Sequence, residues 1–244
     1  MGVHRLSTER PPPSIPPLKG EGSDNRPSRC LLTLRHPFRI PGITELPPSG
    51  SGMRIGLFGG SFNPIHDGHR LVVEETLRRL ELDALWVLVT PGNPLKNHND
   101  LAPLADRVSA ARRLLDHPRV RVTGFEAAHG FTYSWQTVRF LTQAMPDRRF
   151  VWIMGADNLV DFQRWERWRN IAAMVPIAVY VRPGSGRRAP VSMAASYLAR
   201  WRIDEEDAPR LALLPAPAWV YLHGRQSPLS SSAIRARRQH VKSK

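Results

Sequence analysis

The sequence predicts a doubly wound α/β fold: a mostly parallel sheet with helices on both faces, in a single domain. Three observations carry that prediction. From residue 53 onward, short apolar runs alternate with longer amphipathic stretches, several of the apolar runs lack polar alternation, and no internal repeat interrupts the order. A strand covered on both faces by helices has no polar side to show, so unbroken apolar runs belong to parallel sheets.

The first strand is read at Arg54–Phe58, directly ahead of a helix near 67–80. Within Leu71–Leu82, apolar residues at 71, 72, 77, 80 and 82 mark one face, while Glu74, Glu75, Arg78 and Arg79 fall outside it. A helix lying on a sheet needs that division. Further strands are read at Leu85–Thr90, Val120–Thr123, Phe150–Met154, Ile177–Val181 and Trp219–His223, all rich in Val, Ile, Leu and aromatics. Helices are read between and after them, near 103–116, 134–145, 157–172, 190–201 and 231–240. About 190 residues suffice for one such domain. Ligands in this architecture sit at the carboxyl ends of the strands, where the strand order reverses.

Residues 1–52 read differently. Prolines stand at 11, 12, 13, 16, 17, 27, 37, 41, 47 and 48, with Gly and Ser filling many gaps. Proline fixes φ and lacks a donor, so this stretch is expected to sustain neither helix nor ladder and to form a disordered tail. A secretory signal needs about 7–15 apolar residues; Cys30–Leu34 is too short and runs into Arg35, His36 and Pro37. Met53 immediately precedes the first strand, so a natural start there is expected, with the domain spanning 53–244.

The chain carries 35 Lys and Arg against 21 Asp and Glu, a net charge of +14. Seven basic and four acidic residues lie in 1–52, which leaves 28 and 17 in 53–244, so most of the excess belongs to the domain. Much of it is Arg, which suits forked contacts with phosphate. Nucleoside triphosphates satisfy that as well as DNA or RNA does, and no recognisable nucleic-acid reader is present. A nucleic-acid partner is not expected. The single Cys30 excludes an internal disulfide or a cysteine-based zinc cluster. It fits a reducing compartment, and a cytoplasmic location is expected. No apolar run approaches the roughly 18–20 residues that a membrane-spanning helix needs.

The most informative segment runs from Gly59 to His69: Gly59, Gly60, Ser61, Phe62, Asn63, Pro64, Ile65, His66, Asp67, Gly68, His69. It follows the first strand and opens the first helix. Two glycines there let the backbone approach a bulky ligand, and a helix start favours an anion. His66 and His69 stand three apart, on one side of the helix start, where their ring N–H groups could hold phosphate oxygens. Neither the dinucleotide fingerprint G-x-G-x-x-G nor a Walker Gly-Lys-Ser/Thr is present. No third ligand at metal spacing accompanies the histidines, so no protein metal site is expected.

This segment resembles the G-x-F-x-P-x-H-x-G-H signature of the nucleotidyltransferase superfamily. Leu229-Ser230-Ser231-Ser232-Ala233-Ile234-Arg235 resembles that superfamily's second signature, I-S-S-T-x-I-R, with Leu for Ile and Ser232 for Thr. In between, Gly155-Ala156-Asp157 followed by Trp165 is similar to the G-x-D…W stretch of bacterial nicotinate-nucleotide adenylyltransferases. Thr90-Pro91-Gly92-Asn93-Pro94-Leu95-Lys96 resembles their proline-rich loop ending in Lys, with Leu95 where many members carry His. Thr132-Tyr133-Ser134-Trp135-Gln136-Thr137 resembles their S-Y-T-x-x-T, with the two hydroxyl types exchanged. The resemblance spans residues 53–240.

The resemblance implies a Rossmann-like nucleotidyltransferase fold. It also implies adenylyl transfer from ATP to nicotinate mononucleotide, with release of pyrophosphate. Mg²⁺ would arrive with the ATP. His66 and His69 would meet the ATP phosphates, with Gly59, Gly60, Ser61, Phe62 and Gly68 forming the turn. Ser230, Ser231 and Arg235 would hold the leaving pyrophosphate, with Lys96 adding charge. Trp165 would stack on the pyridine, chosen over Trp168 through the family spacing. Thr132 or Ser134 would meet the acceptor, and Asp157 a ribose hydroxyl or nearby amide. Nicotinamide mononucleotide or phosphopantetheine as acceptor stays open at this point.

Overall fold

The computed structural model describes residues 39–92, 101–181 and 189–224. The chain divides into two units, Met1–Arg35 and His36–Lys244, and every described residue belongs to the second.

The described strands are β1 (Arg54–Gly60), β2 (Ala84–Val89), β3 (Val120–Thr123), β4 (Arg149–Gly155), β5 (Ile177–Tyr180), β6 (Arg202–Ile203) and β7 (Trp219–Leu222). They form one sheet in the order β3-β2-β1-β4-β5-β7-β6. Every neighbouring pair is parallel. The chain enters at the middle with β1, moves outward through β2 and β3, and then crosses back to lay β4 on the other side of β1. The strand order therefore reverses between β1 and β4, and a crevice opens at their carboxyl ends.

Helices are α1 (Asp67–Arg79), α2 (Leu104–Leu114), α3 (Phe125–Ala128), α4 (Ser134–Ala144), α5 (Ala156–Asp161), α6 (Trp168–Met174) and α7 (Met193–Leu198). Alternation along each strand sends side chains to opposite faces. In β4, Phe150, Trp152 and Met154 join a core that Val138, Leu141, Leu159, Ile171 and Leu198 complete from α4 to α7. Val151 and Ile153 face the other way, into a core shared with Val72 and Leu77 of α1 and Val108 and Ala111 of α2. The sheet is buried on both faces, which is why its strands read as continuous apolar runs.

All six expected strands are present. Two expected helices are subdivided. The 157–172 stretch is α5, a 3₁₀ turn at Phe162–Arg164 and α6, with Trp165 extended and Arg167 left-handed at φ 49° between them. Packing explains the break: Leu159 and Trp168 share one core, yet in an unbroken helix of about 100° per residue they would point to opposite sides. The 190–201 stretch is α7 followed by a 3₁₀ turn at Ala199–Trp201. The helix expected at 231–240 lies outside the described residues. Three short elements escaped the pattern: α3, the two-residue β6, and a 3₁₀ helix at Glu205–Leu213 that tolerates Pro209.

Residues 40–52 depart from the expected tail. Ile43 packs against the α1/α2 core and Thr44 is only 5% exposed. The Ile43 carbonyl accepts the Gly124 amide at 2.8 Å, and the Glu45 carbonyl accepts the Thr123 hydroxyl at 2.6 Å. Arg148 donates to the Ser49 carbonyl at 2.8 Å, and the Gly52 amide donates to Asp147 at 2.9 Å. Proline prevents this segment from pairing as a strand, but carbonyls need only donors, and side chains and loop amides supply them.

These contacts make residues 40–52 part of the stability of the domain. A chain beginning at Met53 is expected to lose about 2 kcal/mol relative to one beginning at residue 39, a fall of roughly 4–8 °C. Thermal unfolding of both truncations checks this.

Candidate active site

Strand β1 ends at Gly60, and α1 starts seven residues later. Neither glycine takes a positive φ; both stand in close packing instead. A Cβ on Gly59 would stand 3.1 Å from the Trp152 indole, and one on Gly60 would stand 3.1 Å from the Phe62 ring. Phe62 takes the left-handed conformation, φ 45°. Its ring turns inward, 3% exposed, and meets the rings of Phe58 at 5.4 Å and His69 at 5.1 Å edge-on. Phe62, one of the residues expected to form the turn, thus places its side chain in the core against His69.

His66 is the N-cap of α1 and takes an extended conformation. Its Nδ1 accepts the Gly68 amide at 3.1 Å, while the His66 amide donates to Nδ1 of His69 at 3.2 Å. The two rings lie 3.9 Å apart. Both are buried, at 5% and 7% exposure. A helix start leaves its first amides without intrahelical partners, and here imidazoles take the place of the usual Ser, Thr or Asp. An amide can only donate, so each Nδ1 must be unprotonated. In each neutral ring the proton is therefore on Nε2, which makes Nε2–H the donor the ring can offer an anion.

On the far side of the reversal point, β4 delivers Gly155 and the start of α5. Asp157 is exposed in the first turn of that helix. Trp165 is half-buried, edge-on to Trp152 at 6.3 Å and to Phe162 at 5.4 Å. Trp152 thus touches both the Gly59 position and Trp165, linking the turn after β1 to the segment after β4. Trp168, the rival candidate, is a core residue at 8% exposure, edge-on to Phe162 and Tyr197.

Thr132 and Ser134 flank the N-cap of α4, where the Gln136 side chain accepts the Thr132 and Tyr133 amides at 2.9 and 3.0 Å. Trp135 lies beneath the Arg167 guanidinium at 4.5 Å, which joins this helix start to the Trp165 segment. Behind it, Thr137 donates to Glu126 at 2.6 Å, and both are buried. Burial pushes the Glu126 carboxyl up to about 7, against the opposing pull of the Thr137 hydroxyl. Lys96, Ser230, Ser231 and Arg235 lie outside the described residues.

One buried cation was not anticipated. Arg107, on α2 and 3% exposed, donates to the carbonyls of Ser61 at 2.9 Å, Thr90 at 2.7 Å and Ala102 at 2.8 Å. Its sequence signal is an arginine within the apolar stripe Leu104, Val108, Ala111. Arg79, Arg112, Arg119, Arg121 and Arg148 also give donors to carbonyls. Much of the basic excess is structural.

The sequence profile of the cytidylyltransferase-like family matches residues 57–237. A Methylorubrum extorquens protein named as a nicotinate-nucleotide adenylyltransferase is 55% identical over 185 residues, 76% of this chain and 100% of the relative. A Mesorhizobium japonicum protein of the same name is 52% identical over 190 residues, 78% of this chain and 97% of the relative. Among solved structures, Plasmodium falciparum nicotinic acid mononucleotide adenylyltransferase, in complex with NaAD, is similar in fold with a TM-score of 0.59 and 15% identity. That match covers 75% of this chain and 83% of the other. The chain belongs to the cytidylyltransferase-like family.

Glu126 gives the domain a pH dependence of definite sign. The folded state holds the proton near pH 7, whereas the unfolded state releases it near the ordinary value of 4.5. Stability from this group is therefore highest below pH 4.5, falls as pH rises toward 7 and is constant above. E126Q, which keeps an acceptor for Thr137, is expected to gain on wild type across that window, by up to about 3 kcal/mol at pH 8. Denaturant unfolding at pH 5, 6, 7 and 8 measures the gain; parallel profiles would contradict it.

Proposed function

We propose that the protein transfers the adenylyl group of ATP to nicotinate mononucleotide, giving deamido-NAD and pyrophosphate, a step of NAD biosynthesis. The observation that carries this reading is the pair of mutually capping histidines at the β1–α1 turn, at the sheet's reversal point, in a chain whose curated relatives bear that activity in their names.

The 5′-phosphate of the mononucleotide attacks the α-phosphorus of ATP. The new P–O bond joins the two nucleotides, the α–β bridge bond breaks, and pyrophosphate leaves with the electron pair. A phosphate dianion is already a competent nucleophile near neutral pH, so the site needs no general base. Its tasks are to hold two anions in line and to stabilise the charge that develops. Nε2–H of His66 and His69 supply neutral donors for the ATP phosphates, at a helix start whose dipole favours an anion. Gly59, Gly60, Ser61 and Gly68 contribute backbone to the same turn. Lys96, Ser230, Ser231 and Arg235 are assigned to the triphosphate and the leaving pyrophosphate on their motif matches. Mg²⁺ would arrive bound to ATP and would supply positive charge to its phosphates. Trp165 stacks on the pyridine ring, its orientation supported by the edges of Trp152 and Phe162. Thr132 or Ser134 at the start of α4 meets the acceptor, and Asp157 a ribose hydroxyl or nearby amide. Among the described residues no helix is long and apolar enough to cross a membrane; a cytoplasmic site of action is part of the proposal.

Two substitutions test the roles. H69N keeps an acceptor near the position of Nδ1 but removes Nε2–H. It is expected to fold normally and to lower pyrophosphate release by about 10²–10³-fold, the usual effect of one transition-state donor. Wild-type rates in H69N would remove His69 from the chemistry. W165A is expected to raise the KM for nicotinate mononucleotide about tenfold while leaving the KM for ATP within about twofold, in keeping with loss of one stacking contact. Steady-state kinetics with each substrate varied in turn separates the two.

A further inference from the structure

The hydrogen bonds of Arg107 fall at a telling place in the sheet. The β1–β2 pairing runs to Gly60 opposite Val89, and the Thr90 amide donates to the Gly60 carbonyl at 3.0 Å. One step further along the same register stand Ser61 and Thr90. Their carbonyls both accept from a single nitrogen, Nη1 of Arg107, at 2.9 and 2.7 Å. Nε of the same side chain donates to Ala102, just ahead of α2, at 2.8 Å. A side chain of a neighbouring helix therefore continues the ladder where the two strands part company. Its acceptors are all neutral carbonyls. Among the described residues no carboxylate lies within ion-pair distance of it, and burial makes its charge harder to hold.

We propose that Arg107 is a positioning residue of the transfer site, fixing Ser61 and the turn that leads to His66 against the carboxyl end of β2. The proposal rests on the functional reading above. Only a planar fork with several fixed donors can span carbonyls from a turn, a strand end and a helix start at once. Lysine keeps the charge but offers a single mobile head, and methionine keeps only the stem. Releasing Ser61 lets the whole span from Gly60 to His66 shift, and shifts near 1 Å in such a constellation cost about 100-fold in rate.

The test is R107K beside R107M, with ATP and nicotinate mononucleotide varied separately and unfolding followed in parallel. R107K is expected to fold cooperatively and to lose about 10–100-fold in kcat, while the KM for the mononucleotide stays within about twofold. R107M is expected to lose at least as much kcat. Kinetic constants within about twofold of wild type, with only a lower Tm, would assign Arg107 to stability alone and overturn the proposal. An equal rise in both KM values would overturn it in favour of general loosening. Failure of both variants to fold at 25 °C would also overturn it. A wild-type protein that releases no pyrophosphate would bring down the functional reading itself. Active wild type with undiminished R107K brings down only the role of Arg107.

Discussion

Much of the site depends on how the first turn of α1 disposes of its unbonded amides. Two histidines take them, each through Nδ1, and the His66 backbone is itself one of the donors. The same bonds that start the helix therefore decide the protonation pattern of both rings. Protonating either Nδ1 would cost the helix a cap, so cap and neutral ring support each other. A neutral ring with its proton on Nε2 still has one donor to offer a phosphate oxygen. Phe62 stabilises the arrangement from below, edge-on to His69, at the expense of a left-handed backbone that costs on the order of 1–2 kcal/mol.

A second constraint is aromatic. The sheet reverses between β1 and β4, so the histidine-bearing turn after β1 and the Trp165 segment after β4 flank the crevice from its two sides. Trp152 bridges them from within β4, with its ring against Gly59 on one side and edge-on to Trp165 on the other. A Cβ at residue 59 would crowd that ring. The same contact makes the position of the pyridine-stacking candidate a matter of core packing, and protein interiors resist small displacements. Reactants that must meet in line benefit from a frame with that stiffness.

The basic charge has a double use. Arginines bond carbonyls at strand ends and loops, where an α/β sheet leaves acceptors that no ladder completes. Residues 40–52 exploit this, since a proline-rich segment has carbonyls to offer even where it lacks amides. A high net charge thus reflects how the loops are held as well as what the protein binds.

The alternation of strands and helices, the parallel sheet and the histidine-bearing turn are all legible in the amino-acid order. Each is written in local pattern: apolar runs without polar alternation, an amphipathic stripe, a strand followed by glycines and H-x-G-H. Only the folded chain shows which nitrogen of each histidine faces the helix, that Phe62 points inward, and that Trp165 stands at a break between α5 and α6 while Trp168 is buried. It also shows that residues 40–52 pack and that Arg107 continues the β1–β2 ladder. The physical reason is common to all of these. Periodicity reports which face of an element is apolar, but an unpaired amide, carbonyl or ring edge finds its partner among residues distant in the chain, and only the assembled core brings them within reach.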